Sequence, residues 1–382
     1  MDGFTSQDKK QKTLDINDIE SFSTDPWANA EKAPLDIVDH ISYPDLKGLE
    51  VMLINPNSYY RKKLLGLGLA YVATSMQRCG INVHLMDCSA WSHDDIEIAK
   101  ELIQSKVKIF GIGGMYPNFK EVERLCGLIR AVVPGATIFL GGALPTPIPE
   151  FVLRKTKADI CTIGEAEMTI PKLMGALANN ESLEGIKGIA YIKDGEFFHN
   201  GNPHLPTQVT KKEVGLPALE LFPLEHYFHS PKPHPFSQFD RNLPIVTGRG
   251  CPYACNFCYR VSAYRFRPVD EVMDEMGYLI DRYKVNSFYF EDDLFMLSHQ
   301  KMRDFCEGII NRGYKVKYNC SGRVNTVNRE IAQLMKESGC VAVYYGIESG
   351  SQEILNNMSK KTNLEQIYEA IRLTREQGIF CE

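Results

Sequence analysis

From Leu49 onward, short continuous apolar runs alternate with stretches whose apolar residues recur at helical spacing. The runs 49–56 (LEVMLINP), 81–87 (INVHLMD), 108–115 (KIFGIGGM), 136–142 (ATIFLGG) and 158–165 (ADICTIGE) predict strands. Between and after them, Leu67–Cys79, Ile96–Gln104, Phe119–Val133, Phe151–Lys155 and Met168–Leu177 predict helices. Strands that are apolar throughout, rather than at every second position, are covered on both faces, so the pattern over 48–180 predicts a doubly wound parallel sheet. Ligands of such sheets sit beyond the carboxyl ends of the strands. Those ends carry 55–60 (NPNSYY), 113–118 (GGMYPN), 141–147 (GGALPTP) and 163–167 (IGEAE), where glycine lets a large ligand approach the backbone.

The pattern breaks over 181–242, a connector with a hairpin at 189–201 around Asp194-Gly195 and a stretch rich in proline and aromatics. Its histidines, His226, His229 and His234, read as isolated side chains of a Pro-rich linker. Alternation resumes at Leu243–Thr247 and continues with strands at 286–293, 314–323 and 340–349 and helices at Val269–Tyr283, Gln300–Arg312, Ile331–Ser338 and Leu364–Gln377. This is a β/α barrel pattern over 243–382, with its active residues expected at the strand carboxyl ends. Residues 1–47 show no sustained apolar period and read as an N-terminal arm, with Trp27 and Ile37–Tyr43 as docking points.

Composition narrows the classes. The 382 residues are 44% hydrophobic and 24% charged, those of a globular protein with substantial cores. A net charge of −5 provides no basic field for nucleic acid or an anionic membrane. No apolar run approaches the ~20 residues of a membrane span, and the first residues, MDGFTSQDKKQK, hold no signal-peptide core. Most of the eleven cysteines are scattered singly in apolar segments, which places the chain in a reducing cytosol.

Three cysteines are not scattered. Cys251, Cys255 and Cys258 stand in C-x3-C-x2-C spacing after the strand 243–247, on a loop freed by Gly248 and Gly250 and kept irregular by Pro252. Soft thiolates select iron–sulfur, zinc or Cu(I). Ordinary [4Fe–4S] electron-transfer sites use four cysteines; three leave one iron open to another ligand. A zinc knuckle needs a fourth ligand, and none lies close in sequence. The string RGCPYACNFC, with Phe257 before the third cysteine, closely resembles the cluster loop of radical S-adenosylmethionine (radical SAM) enzymes. That resemblance implies a [4Fe–4S] cluster held by Cys251, Cys255 and Cys258. It also implies SAM chelated to the open iron and cleaved reductively to a 5′-deoxyadenosyl radical.

The family also suggests roles at the later strand ends. Phe257, Glu291, Asp292, Ser321, Arg323, Glu348 and Ser349 are the expected SAM contacts. Glu291 and Asp292 would serve the amino group, Arg323 the carboxylate, and Glu348 and Ser349 the ribose or methionine moiety. Asp293 reads as a helix cap, and Tyr253 and Tyr259 as lining or packing residues. Ahead of the cluster loop, INP, GLGLAYVAT, GGALPT and TIGEAE resemble, in order and position, the cobalamin-binding domain that precedes many radical SAM domains. Expected cobalamin contacts are Asn55, Met115, Tyr116, Gly141, Gly142, Pro145, Thr146, Gly164 and Glu165, with Leu144 beside them. The D-x-H-x-x-G motif is absent and His84 falls inside a strand, so the resemblance implies cobalamin without a protein imidazole ligand, or else a fold that has lost its corrinoid.

The expected architecture is therefore α/β: a doubly wound, Rossmann-type, cobalamin-binding-like sheet followed by a partial radical SAM barrel. Four βα units and the start of a fifth precede Glu382 where such barrels have six, so the barrel reads as truncated, the alternative being completion by another chain. The resemblance implies reductive SAM cleavage and cobalamin-dependent methyl transfer to an unactivated carbon. Rival readings are a radical cyclase or rearrangement enzyme of the anaerobic porphyrin-cyclase type, and a non-catalytic fragment that binds cobalamin or a cluster. A small-molecule substrate and a reductant such as flavodoxin or ferredoxin are the expected partners.

Overall fold

The computed structural model describes residues 43–57, 65–91, 93–232, 234–259 and 262–382. Most of the arm, including Trp27 and residues 37–42, lies outside them, as do residues 58–60 of the first strand-end loop. The first strands and helices run β1 (Glu50–Asn55), α1 (Leu67–Arg78), β2 (Asn82–Asp87), α2 (Cys88–Trp91), α3 (Asp95–Ser105), β3 (Ile109–Gly113), α4 (Phe119–Val132), β4 (Thr137–Gly141), α5 (Pro149–Thr156), β5 (Ile160–Thr162) and α6 (Ile170–Asn179). Two more strands, β6 (Ile189–Lys193) and β7 (Glu196–His199), complete a sheet of order β2-β1-β3-β4-β5-β6-β7. Its first five strands are parallel.

Alternate side chains divide each central strand between two cores. Val51 and Leu53 enter the cluster under α1 and α6, while Met52 and Ile54 enter the one under α3, α4 and α5. This is the covering of both faces that the uninterrupted apolar runs predicted. Gly111 of β3 is required by packing: a Cβ there would lie 2.2 Å from the Phe139 ring and 2.7 Å from Leu53. The sheet reverses strand order between β1 and β3, and ligands of open α/β sheets bind at such a switch point.

The hairpin differs from expectation. The sequence pattern assigns it to the connector, but β6 pairs antiparallel with β5 and extends the first sheet. Ile189, Ala190 and Tyr191 are buried there, so an apolar face recruits the hairpin onto an otherwise open edge. Asp194 and Gly195 have φ of 52° and 82°, the positive pair of a type I′ turn.

The connector continues through α7 (Leu224–Phe228) to the second half: β8 (Asn242–Ile245), β9 (Gly248–Arg249), β10 (Arg265–Phe266), α8 (Val269–Tyr283), β11 (Ser287–Phe290), α9 (His299–Asn311), β12 (Lys317–Gly322), α10 (Arg329–Glu337), β13 (Cys340–Tyr345), α11 (Gln352–Asn357), α12 (Leu364–Glu376) and β14 (Phe380–Cys381). Strands β8, β11, β12, β13 and β14 form a parallel sheet in that order. Each neighbour is the next βα unit, as in a barrel wall. Aromatic packing seals its helical side: Phe290 stacks on Phe295 at 4.2 Å between ring centroids, and Phe305 meets both edge-on. Both sheets belong to one compact unit, Ile37–Glu382. Leu67, Ala70 and Tyr71 of α1 share a core cluster with Leu243, Ile245 and Val246. Among the described residues, no helix is long and apolar enough to cross a membrane.

Candidate functional site

The carboxyl ends of β1, β3, β4 and β5 open on a cavity of about 450 Å³ whose far wall is built from the segment after β8 and the end of β11. Of the residues expected to contact cobalamin, Asn55, Met115, Gly141, Gly142, Gly164 and Glu165 line it. Gly142 has φ +91°, and a Cβ there would lie 2.7 Å from the Gly114 carbonyl. A ligand can thus rest directly on backbone at these strand ends. Pro145 and Thr146 are buried behind that surface. The Thr146 hydroxyl donates to the Gly142 carbonyl at 2.8 Å and accepts from the Gly164 N–H at 3.0 Å, bracing two glycine loops against each other. Tyr116 is half exposed and outside the wall, near enough to Tyr259 to add to the burial that pushes the Tyr259 hydroxyl up.

At the end of β1 the Asn55 amide donates to Asp87 at 2.9 Å and to the Tyr227 hydroxyl at 3.2 Å, and that hydroxyl donates to Asp87 at 2.8 Å. Burial pushes the Asp87 carboxyl up, against the hydrogen bonds that draw it down. This buried triad ties α7 of the connector to the floor of the first sheet. Among the described residues no histidine lines the cavity. His84 sits inside β2, part-exposed, 4.0 Å from Glu50. The connector histidines are dispersed: His226 lies against Trp91, His229 contacts the Glu225 carbonyl, and His234 packs on Phe380.

The cysteine loop is held from several sides. The Gly250 N–H donates to Asp293 at 2.9 Å, so Asp293, expected as a helix cap, anchors the loop instead. Asn256 donates through its side chain to the Asn357 carbonyl at 2.7 Å and through its backbone to Met358 at 3.2 Å. Cys255 is buried, Cys251 half-buried and Cys258 exposed. Burial, followed by the charges of Cys251 and Cys255, pushes the Cys258 thiol up, so the three sulfurs sense one another. Among the described residues no three His, Cys, Asp or Glu side chains converge as donors to a single ion.

The expected SAM contacts separate into two groups. Glu291 lines the cavity with a solvent-accessible side chain, and the protein packed around it pushes its carboxyl up to about 7. Its neighbour Asp292 points the other way and is consumed. It accepts from the Thr247 N–H at 2.6 Å, the Gly248 N–H at 3.2 Å and the Thr247 hydroxyl, and Lys301 stands 3.8 Å away. Asp292 therefore fastens the end of β8 rather than facing a ligand. Arg323, Glu348, Ser321, Ser349 and Phe257 are not on the cavity wall. Arg323 is buried beneath the cysteine loop. Glu348, with φ +65°, pairs with Lys360 at 2.7 Å. Ser321 is half-buried, the Ser349 hydroxyl accepts from the Ser351 N–H at 3.1 Å, and Phe257 is half exposed with the Lys360 amine 5.8 Å from its ring centre.

The B12 binding domain family matches residues 60–174, and the Radical SAM superfamily matches residues 245–381. The chain carries a B12 binding domain followed by a radical SAM domain. It is similar to an uncharacterized methyltransferase of Pyrococcus horikoshii, 28% identical over 345 residues that cover 87% of this chain and 73% of the relative. It is also similar to an anaerobic magnesium-protoporphyrin IX monomethyl ester cyclase of Cereibacter sphaeroides, 27% identical over 326 residues, 82% of this chain and 52% of the cyclase. Its fold is similar to that of OxsB, a cobalamin-dependent SAM radical enzyme solved with aqua-cobalamin and SAM bound. The TM-score is 0.75 at 23% identity, covering 88% of this chain and 49% of that one. The chain thus spans about half the length of the cyclase and of OxsB.

The two domains are clamped by charges that sequence reasoning missed. Arg249, two residues before Cys251, binds Glu165 at 2.7 Å and Glu167 at 2.6 Å from the B12 binding domain, and lies 4.9 Å over the Tyr71 ring. Arg265 closes the set on Glu165 and donates to the Pro206 carbonyl at 3.1 Å. Glu165 was expected to contact cobalamin, but its carboxylate is taken up by these two guanidiniums. Burial pushes it up, yet the arginines outweigh burial and hold it below the usual range. The available signal was opposite charge in TIGEAE and GRGC, two motifs that only the fold brings face to face.

Gly250 has φ +74°, and a Cβ there would lie 2.5 Å from the carbonyl oxygens of both Ser262 and Ala263. Gly250→Ala is expected to add backbone strain on the order of 1–3 kcal/mol besides the clash. Iron bound per chain after anaerobic reconstitution should fall well below wild type while far-UV circular dichroism is unchanged. Full iron loading would show that the loop path is not required.

Proposed function

We propose that this chain is a cobalamin-dependent radical SAM enzyme that transfers a methyl group to an unactivated carbon of a small molecule. The observation that carries the reading is the cavity shared by both domains, walled by the glycine-rich strand ends of one and by Gly250 and Glu291 of the other. When bound, the cluster with SAM supplies reductive cleavage of a sulfonium bond, and the corrinoid supplies a transferable methyl group.

The chain's own residues divide the remaining work. Cys251, Cys255 and Cys258 would hold the cluster. Gly113, Gly141, Gly142 and Gly164 present open backbone to a flat corrinoid, and Leu65, Leu67 and Leu69 keep that side apolar and exclude water. Glu291 offers a carboxylate to a cation such as the SAM amino group. The similarity to a methyltransferase favours methyl transfer; the similarity to a cyclase supports ring closure as the second reading.

The test is anaerobic reconstitution with iron, sulfide and cobalamin, followed by incubation with SAM and a strong reductant. A [4Fe–4S] spectrum, bound corrinoid and 5′-deoxyadenosine support the reading. Cluster without corrinoid would remove methyl transfer, and an absence of both would remove the radical assignment.

Glu291 makes a separate prediction. Its carboxyl rises from an ordinary 4.5 to about 7, so the folded chain favours the protonated form. Stability from this group is full below the ordinary value and declines as pH rises towards 7. Ionisation through the same interval strengthens attraction for a cation. SAM should bind more tightly at pH 8 than at pH 6 in equilibrium dialysis, and Glu291→Gln should bind weakly at both. Equal binding of wild type at the two pH values would contradict this role.

A further inference from the structure

Arg323 leaves the end of β12 and, unlike Glu291, turns away from the cavity. Its Nη1 donates to the Cys255 Sγ at 3.5 Å, its Nη2 donates to the Lys360 carbonyl, and the guanidinium lies 3.8 Å over the Tyr253 ring. Tyr253 and Cys255 both belong to the cysteine loop, so one side chain grips it by a ring face and by a sulfur. The residue is only 4% exposed, and its Nε–H is buried without a partner among the described residues. An orphaned buried donor costs about 1–3 kcal/mol, which a guanidinium retained for packing alone has no reason to incur. Lys360 continues the cradle: its amine is paired with Glu348 at 2.7 Å and faces the Phe257 ring. Of the charged groups packed here, Arg323 is the one that touches a cysteine sulfur.

We propose that Arg323 is a positioning residue for the iron–sulfur cluster, holding Cys255 in its ligating geometry and shifting the cluster's reduction potential upward. This rests on the reading of Cys251, Cys255 and Cys258 as cluster ligands. Hydrogen bonds to ligand sulfur and nearby positive charge are among the factors that set cluster potentials. A cation donating to a thiolate draws electron density from it, which favours the reduced, more negative cluster. Both Nη groups already hold the cysteine loop and its neighbour Lys360, and Arg323 is absent from the cavity wall, so the side chain is committed to the loop rather than to the cavity.

The test compares wild type, Arg323→Gln and Arg323→Lys after anaerobic reconstitution. Iron per chain, iron release to a chelator, the reduction potential by EPR-monitored titration and SAM affinity are measured. The glutamine variant should release iron on the order of tenfold faster, as for other outer-shell changes, with its potential shifted to more negative values; the lysine variant should lie between. If the glutamine variant holds no iron, the lysine variant is read alone. A single ammonium replaces the two-nitrogen fork that holds Cys255 and the Lys360 carbonyl, so wild-type potential and release there would overturn the proposal. Unchanged potential and release with weakened SAM binding in the glutamine variant would also overturn it and return Arg323 to the SAM carboxylate. A wild type that forms no cluster would remove the underlying cluster reading, a failure distinct from either.

Discussion

Cys255→Ala is expected to reduce 5′-deoxyadenosine formation to background. Cys255 is the buried member of the triad and the one gripped by Arg323, so its loss removes a ligand and leaves a guanidinium facing an empty volume. Two thiolates remain, one of them exposed. Iron content and the visible cluster absorption should fall together. The B12 binding domain lies in a different sheet with its own two cores, so far-UV circular dichroism and corrinoid binding should persist. Reductive SAM cleavage at wild-type rate in this variant would sink the cluster assignment.

Arg249→Ala has the largest expected effect on stability. Arg249 serves two carboxylates at once, and all three side chains are largely buried, with 14%, 11% and 9% exposure for Arg249, Glu165 and Glu167. Glu165 retains Arg265, but Glu167 is left without its guanidinium. Removing one partner of a buried pair costs about 3–5 kcal/mol, mostly from the charge left behind. A lower thermal midpoint and faster proteolysis between the domains should follow, with Arg249→Lys recovering little because a point charge cannot fork between two carboxylates. An unchanged midpoint would mean that the clamp contributes nothing to stability. The depressed Glu165 carboxyl fixes the sign of the pH effect. Its contribution is present above the ordinary carboxylate range and is lost as pH falls through the lower, folded value. The Arg249→Ala variant should therefore lose less stability on acidification than wild type.

Much of the molecule was legible because it is local. A run such as VMLIN is apolar whatever surrounds it, and the strands expected at 49–56, 108–115, 136–142 and 158–165 form there, ending one to three residues earlier at Asn55, Gly113, Gly141 and Thr162. The three-cysteine spacing is a property of one loop. Short or mixed segments were not legible: α7 and α11 are each one or two turns, and β9 and β10 are two-residue ribbons. The hairpin was recognised from its Asp-Gly turn, but its allegiance depends on an edge strand supplied by β5.

The partners of each charged side chain were decided only by tertiary structure. Glu291 and Asp292 are adjacent and chemically alike, yet one faces the cavity and the other is fastened to Thr247 and Gly248. Successive residues leaving a strand point to opposite sides, and sequence does not say which side is open. Arg249 finds Glu165 and Glu167 across 84 and 82 residues, and Arg323 finds Cys255 across 68. By itself the sequence determined the order of elements, the two-sheet architecture and the cysteine triad, since periodicity and spacing are carried by neighbours along the chain. Which carboxylate lines the cavity, and which arginine grips the cysteine loop, depends on distances between segments remote in sequence and on the burial that makes an unpaired charge costly.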